Sequence, residues 1–288
     1  MGADIMQRKV ARVNDPPVRP GMSAQRRVRE LVPSGNWDAT DPFLLLMEDW
    51  FPRGVFDWHP HRGIETVTYV IDGVLEHQDN AGHSGTVRTG DVQWMTAGRG
   101  LLHLEQPPAG VTVHSLQLWV NLPAVDKMAE PRYQDLVVGD LPVRRESGAT
   151  VRVYSGASGQ IVASTKNHVP VTMLEVRLEP GVRIREELPG DFNAFFVVLE
   201  GDGRIGSDAT RVGAGQTVWL NRASEHKKSE VELAASSDKV LRALLFAGRP
   251  LREPVFARGP FVMNTEQQIR QAYADYQNGR FGAPRTVR

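Results

Sequence analysis

Apolar residues along this chain come in short runs and alternations, broken repeatedly by glycine, proline and aspartate–asparagine clusters. Phe43-Leu44-Leu45-Leu46-Met47 is a continuous apolar run and predicts a buried strand. Residues 65–77 alternate and are rich in Thr, Val, Tyr and Ile, the composition of a strand. Asp79-Asn80-Ala81-Gly82 predicts a turn, Gly85-Thr86-Val87-Arg88 a continuation, Thr89-Gly90-Asp91 a second turn, and Val92-Gln93-Trp94-Met95 a further strand. Residues 114–121 place Leu116, Leu118 and Val120 on one face. A helical period stands out near the end. Thr265 is a good N-cap, Gln268 completes a capping box, and Ile269, Ala272, Tyr273 and Tyr276 share one face before Gly279. Many short strands with one terminal helix predict an all-β sandwich or barrel.

The second half echoes the first. Val70-Ile71-Asp72-Gly73 returns as Val198-Leu199-Glu200-Gly201, and Thr89-Gly90-Asp91-Val92-Gln93-Trp94 as Ala214-Gly215-Gln216-Thr217-Val218-Trp219. The expected organisation is a polar lead-in over residues 1–40, a first domain over 41–135, and a second over 136–288 that carries the terminal helix. Asp15-Pro16-Pro17 and Pro20-Gly21 break up the lead-in.

Length and charge narrow the function. At 288 residues the chain is long enough for two β domains, and 34 basic residues balance 34 acidic ones. A zero formal charge argues against a general electrostatic grip on nucleic acid or an anionic membrane. The absence of cysteine excludes a disulfide scaffold, an iron–sulfur cluster and a thiol nucleophile. Residues 1–31 hold no apolar core of signal-peptide length and no segment reads as a membrane span, so a cytoplasmic location is expected.

The candidate chemistry lies in two short pairs, His59-Pro60-His61 and His103-Leu104-Glu105. Alternate side chains of a strand share a face, so each pair points two ligand groups the same way. Two such strands side by side bring three imidazoles and one carboxylate to a point. That donor set suits iron, manganese, copper, nickel or zinc and is too rich in nitrogen for calcium or magnesium. In the second half Glu187 and Pro189 stand where His59 and His61 would fall, and only His226 lies near the position of His103. One metal per chain is expected. Glu65, four residues beyond His61, shares its face by parity. It reads as a hydrogen-bonding support or an anchor of strand geometry, with direct ligation as the other reading. His77, His83, His114, His168 and His226 lack paired spacing and read as solvated or hydrogen-bonded. Phe56, Trp58 and Met95 are candidate walls of a substrate pocket, or ordinary packing.

The stretch from Asp41 to Gln106 resembles pirin, a member of the cupin superfamily. The carrying residues are Asp41-Pro42-Phe43-Leu44-Leu45, His59-Pro60-His61-Arg62-Gly63-Ile64-Glu65-Thr66-Val67-Thr68-Tyr69, Gly90-Asp91-Val92-Gln93-Trp94-Met95-Thr96-Ala97-Gly98-Arg99-Gly100 and Leu102-His103-Leu104-Glu105. Leu116-Gln117-Leu118-Trp119-Val120-Asn121-Leu122, Glu130-Pro131-Arg132-Tyr133-Gln134 and Gly259-Pro260-Phe261-Val262-Met263-Asn264-Thr265 extend it. The resemblance implies a bicupin, two jelly-roll-like β-barrels, with a metal in the first and a degenerate second. It places the ligands on His59, His61, His103 and Glu105, with Fe(II) as the expected cofactor and Cu, Mn, Co, Ni or Zn as substitutes. It implies a quercetin 2,3-dioxygenase-like activity, opening a flavonol ring with dioxygen. The ligand count then leaves open positions on an octahedral metal for substrate and dioxygen, with Glu105 as the acceptor of the substrate's hydroxyl proton if its bond to the metal is loose. The alternative it implies is a redox-responsive iron-binding regulator acting through a protein partner.

Overall fold

The computed structural model describes residues 5–222 and 228–284. Strands dominate, with helices at Trp37–Thr40 and Glu266–Gln277, and the chain gathers into two units. One takes residues 17–139 together with the tail from Leu251; the other takes residues 140–250 together with the leading segment up to Pro16.

In the first unit a seven-stranded sheet packs on a four-stranded one. The larger runs in the order Arg132–Leu136, Val92–Thr96, Ile64–Asp72, Thr112–Asn121, Phe43–Pro52, Arg27–Val32, Arg19–Pro20. The smaller runs His59–His61, Leu101–Gln106, Val74–Asp79, Ser84–Arg88. Phe51, Val70 and Val113 from the large sheet meet Leu75 and Val87 from the small one in a single apolar cluster. Residues 65–77 therefore do not stay one strand. Gly73, at φ 93°, ends the first strand and sends Val74–Asp79 into the other sheet. Asp79 then makes the predicted turn itself, its Oδ1 accepting from the N–H groups of Ala81, Gly82 and His83.

The repeat seen in the sequence is a repeat of hydrogen bonds. Gly90 N–H donates to Val70 and Val70 N–H to Asp91; Gly215 N–H donates to Val198 and Val198 N–H to Gln216. The second unit is built on an eleven-stranded sheet around one large apolar cluster that includes Val153, Val176, Phe196, Val218, Leu233 and Leu245.

Both chain ends depart from the expected division. The lead-in is not a separate segment: Val10–Asn14 pairs antiparallel with Thr217–Leu220, and Met6–Gln7 pairs parallel with Lys228–Ala235. The clasp is Arg8, fully buried, whose guanidinium donates to the carbonyls of Pro189, Gly190, Phe192 and Asn221 and to Ser229 Oγ. Burial lowers its pKa to about 10, which leaves it charged at neutral pH. Arg8→Ala strips these acceptors of their donor and is expected to cost about 3 kcal/mol. A thermal melt should show the midpoint falling by roughly 6–12 °C.

The terminal helix, assigned above to the second domain, packs on the first unit instead. Ile269 and Ala272 join Leu102, Phe261, Met263 and Phe281 in one cluster, and Asp275 Oδ2 accepts from Arg62 Nη1 at 2.8 Å. Thr265 caps it as read, accepting from Gln268 N–H. The apolar stripe predicted a buried face, but periodicity carries no information about which unit that face meets.

Candidate metal centre

His59–His61 and Leu101–Gln106 are adjacent antiparallel strands, with His103 directly opposite His59 and Leu101 opposite His61. Opposed residues share a face. The three imidazoles consequently converge, each offering a ring nitrogen within 4.8 Å of the others. The Nε2 atoms of His59 and His103 stand 2.9 Å apart.

These rings are prepared as neutral donors. Burial lowers the pKa of His59 and lowers those of His61 and His103 well below the usual imidazole value, each cation disfavouring the next. His59 Nδ1 lies 2.8 Å from the Asp57 carbonyl, so Nδ1 carries the hydrogen and Nε2 keeps its lone pair. Neither ring nitrogen of His61 nor Nδ1 of His103 has a hydrogen-bond partner, although all three are buried. The Pro260 carbonyl favours the protonated form of His61 but falls short of hydrogen-bond geometry. Unpartnered buried nitrogens are costly unless something else uses them. Two ligands at right angles, each about 2.0–2.1 Å from a metal, have their nitrogens about 2.9 Å apart. The residues fit a transition-metal ion.

Glu105 lies on the same face, its Oε2 3.9 Å from His103 Nε2, beside the three converging histidines rather than among them. Its carboxyl closes a ring of hydrogen bonds: Thr68 Oγ1 is 3.1 Å from Oε1, Gln117 Nε2 donates to Oε2 at 3.2 Å, and Thr68 Oγ1 is 2.5 Å from Gln117 Oε1. The Thr68 hydroxyl has one hydrogen for these two oxygens, so it donates to one of them at a time. Burial pushes the Glu105 pKa up to about 7, against the pull of Thr68 and Gln117.

Glu65 is held elsewhere. Its oxygens accept from Trp94 Nε1 at 3.0 Å and Thr96 Oγ1 at 2.7 Å, and it is not among the converging ligand groups. Parity misleads here because the chain is not one strand between His61 and Glu65. Gly63, at φ 79°, turns it from the small sheet into the large one. A Cβ at Gly63 would sit 1.9 Å from the Val262 carbonyl, so only glycine fits. The buried Lys127 ammonium braces this turn by donating to the carbonyls of Gly63 and Val262 and to Asn121 Oδ1.

His59, His61 and Glu105 open into a cavity of about 270 Å³ whose walls are mostly carbon, with His103 buried behind them. Leu45, Met47, Phe51, Phe56, Leu75 and Trp119 form its apolar sides. Trp119 meets His61 edge-on, ring centres 5.1 Å apart. Of the three predicted wall residues only Phe56 lines the cavity; Met95 is core, and Trp58 packs against the cluster under the terminal helix. Thr68, Gln117 and Trp119 escaped the sequence reading, although Gln117 and Trp119 alternate with the very leucines that marked the strand. At the far side Arg26 Nε donates to Asp49 Oδ1 at 2.6 Å while its guanidinium covers Phe56.

The other histidines vary. His114 hydrogen-bonds Glu48 and stacks on Trp50, and His83 bonds Asp79. His77 is buried, neither ring nitrogen makes a hydrogen bond, Asp135 Oδ1 lies 3.9 Å from Nε2, and the ring stacks on Tyr133. In the second unit Glu187 is exposed beside Lys228, and His226 lies outside the described residues.

The family model described as "Pirin" matches residues 25–120, and that of the pirin C-terminal cupin domain matches residues 173–282. A pirin-like protein of Solanum lycopersicum is 45% identical over 249 residues, covering 85% of this chain and 84% of its own. The chain belongs to the pirin family. Its two β units are the two halves of the bicupin fold. A crystal structure from Geobacillus kaustophilus is 52% identical to this pirin, covers 88% of it and all of its own chain, and has a TM-score of 0.85. A structure described as quercetin 2,3-dioxygenase from Acinetobacter baumannii is 32% identical, with 96% and 99% coverage and a TM-score of 0.83. Among the described residues no helix is long and apolar enough to cross a membrane.

Proposed function

We propose that this pirin is a non-haem metal dioxygenase of the quercetinase type, with His59, His61, His103 and Glu105 holding Fe(II) or a related divalent transition metal. The observation that carries this reading is three converging imidazoles, His61 with neither ring nitrogen hydrogen-bonded, beside a buried carboxyl at the end of an apolar cavity. The likeness to the Acinetobacter quercetin 2,3-dioxygenase supports it. When bound, such a metal supplies Lewis acidity and a path for electrons between an aromatic substrate and dioxygen.

The chain's own residues do the rest. Phe56, Phe51, Met47 and Trp119 hold a flat aromatic molecule, such as a flavonol, and keep water away from it. Glu105 accepts the proton of the substrate hydroxyl, and Thr68 and Gln117 fix the carboxyl in place while it does so. The products are the opened ring and carbon monoxide.

Metal analysis of the purified protein combined with oxygen uptake on quercetin tests the reading. About one metal per chain and substrate-dependent uptake are expected. No uptake after loading with iron, copper, manganese, cobalt or nickel would turn the argument to the regulatory reading, in which the same metal acts through a protein partner.

A further inference from the structure

The second unit, which offers no converging ligand cluster among its described residues, carries a basic trough on its sheet. Its register puts four residues in one row across four strands: Arg211 opposite Arg204, Arg204 opposite Ala234, and Ala234 opposite Arg183. Directly opposed residues point to the same face, so three guanidinium side chains rise from one line, with a methyl group between the second and third. The row beside it is equally low. Gly213 lies opposite Asp202, Ser236 N–H donates to the Asp202 carbonyl, and Gly181 N–H donates to the Ser236 carbonyl. The result is an open cavity of about 690 Å³ floored by small residues and edged by arginines.

Arg204 and Arg211 break a rule of sheet design. Like charges directly opposite one another in a strand pair are destabilising, and residues that break a local rule without compensation tend to serve function. No compensation is present among the described residues. Arg211 makes no hydrogen bond or ion pair; Arg204 donates only to the Ala209 carbonyl. Arg183 stands 3.8 Å from Glu232, which Arg185 holds more closely at 3.2 Å. Asp202, the carboxylate inside the trough, is taken by Lys239 at 2.9 Å.

We propose that this trough binds a short acidic peptide segment of a partner protein. Strands lie about 4.7–4.9 Å apart, so the row from Arg211 to Arg183 spans about 14 Å. Five residues of extended chain span about 13 Å and turn three alternate side chains to one side, which matches three carboxylates to three arginines. The floor of glycine, alanine and serine lets a backbone approach closely. A nucleic-acid strand fits less well. Glu230, Glu232 and Glu187 follow on the same face of the strands that carry Ala234 and Arg183, so the basic row is short. A phosphate backbone that continues past it would meet carboxylates where a five-residue segment need not.

The test is fluorescence anisotropy of the full chain with three labelled probes: a short peptide alternating glutamate and threonine, its glutamine counterpart, and a single-stranded oligonucleotide of matching length. The acidic peptide should bind at least tenfold tighter than the other two. Arg204→Gln with Arg211→Gln should weaken it at least tenfold, while metal content and oxygen uptake stay unchanged. Since the double variant relieves a like-charge pair, its melting temperature should equal or exceed that of the wild type. Should it fail to fold, Arg211→Thr alone, which breaks no bond seen here, should still weaken binding several-fold. Equal binding of the glutamine peptide, equal or tighter binding of the oligonucleotide, or undiminished binding by the variants would overturn the proposal.

Discussion

The iron-loaded Glu105→Gln variant should keep its metal and lose most of its oxygen uptake with quercetin, by ~100- to 10,000-fold in turnover. An amide is the same size as the carboxyl and retains an oxygen that can bind a metal weakly, but it cannot take the substrate's proton. Burial already raises the proton affinity of this carboxyl, against the pull of the hydrogen bonds from Thr68 and Gln117. Oxygen-electrode traces with matched metal content decide the matter. Undiminished turnover would keep the enzyme and reduce Glu105 to a ligand.

His61→Ala should abolish stoichiometric metal binding and leave the β fold intact. His61 is buried with no hydrogen bond to either ring nitrogen, so without metal the wild-type chain carries an unpaid desolvation cost of about 1–3 kcal/mol at this side chain. Replacing it by alanine removes that cost and leaves a small void, and the two changes oppose each other. The metal-free wild type and the variant should therefore melt within a few degrees of each other. Only the loaded wild type gains the further stabilisation that comes with ligand binding. Circular dichroism showing global unfolding of His61→Ala would make the site structural, in the manner of a zinc finger, and would weaken the dioxygenase reading.

The converging histidines were legible because their spacing is a local property. The pair His59 and His61, and the pair His103 and Glu105, each sit two apart, and in strands that alone puts both members on one face. Parity stops being informative where the chain leaves its strand, and Glu65 is a hydrogen-bonded support, the first of its two readings, rather than a converging ligand. Glu65 has the right parity, but Gly63 turns the backbone into another sheet before it is reached. Gly73 divides what reads as one long strand in the same way. His77 looks unremarkable in sequence and proves to be buried without a hydrogen bond, since burial depends on what stacks above it, here Tyr133.

By itself, the sequence determined the all-β class, the internal repeat, the helix with its Thr265 cap, and the three histidines that converge. These follow from alternation, turn residues and spacings of a few positions, all of them interactions between near neighbours. Tertiary structure alone decided which unit each chain end joins, what lines the cavity, and which side chains stand beside Glu105. Arg8 clasps carbonyls more than 180 residues away, and the terminal helix returns to Arg62 across the whole second unit. Gln117 and Trp119 reach the centre because the strand Thr112–Asn121 has its second face on the cavity. Such contacts are chosen by which apolar surfaces find each other once the sheets form, and hydrophobic burial is non-directional, so no short-range pattern records the choice.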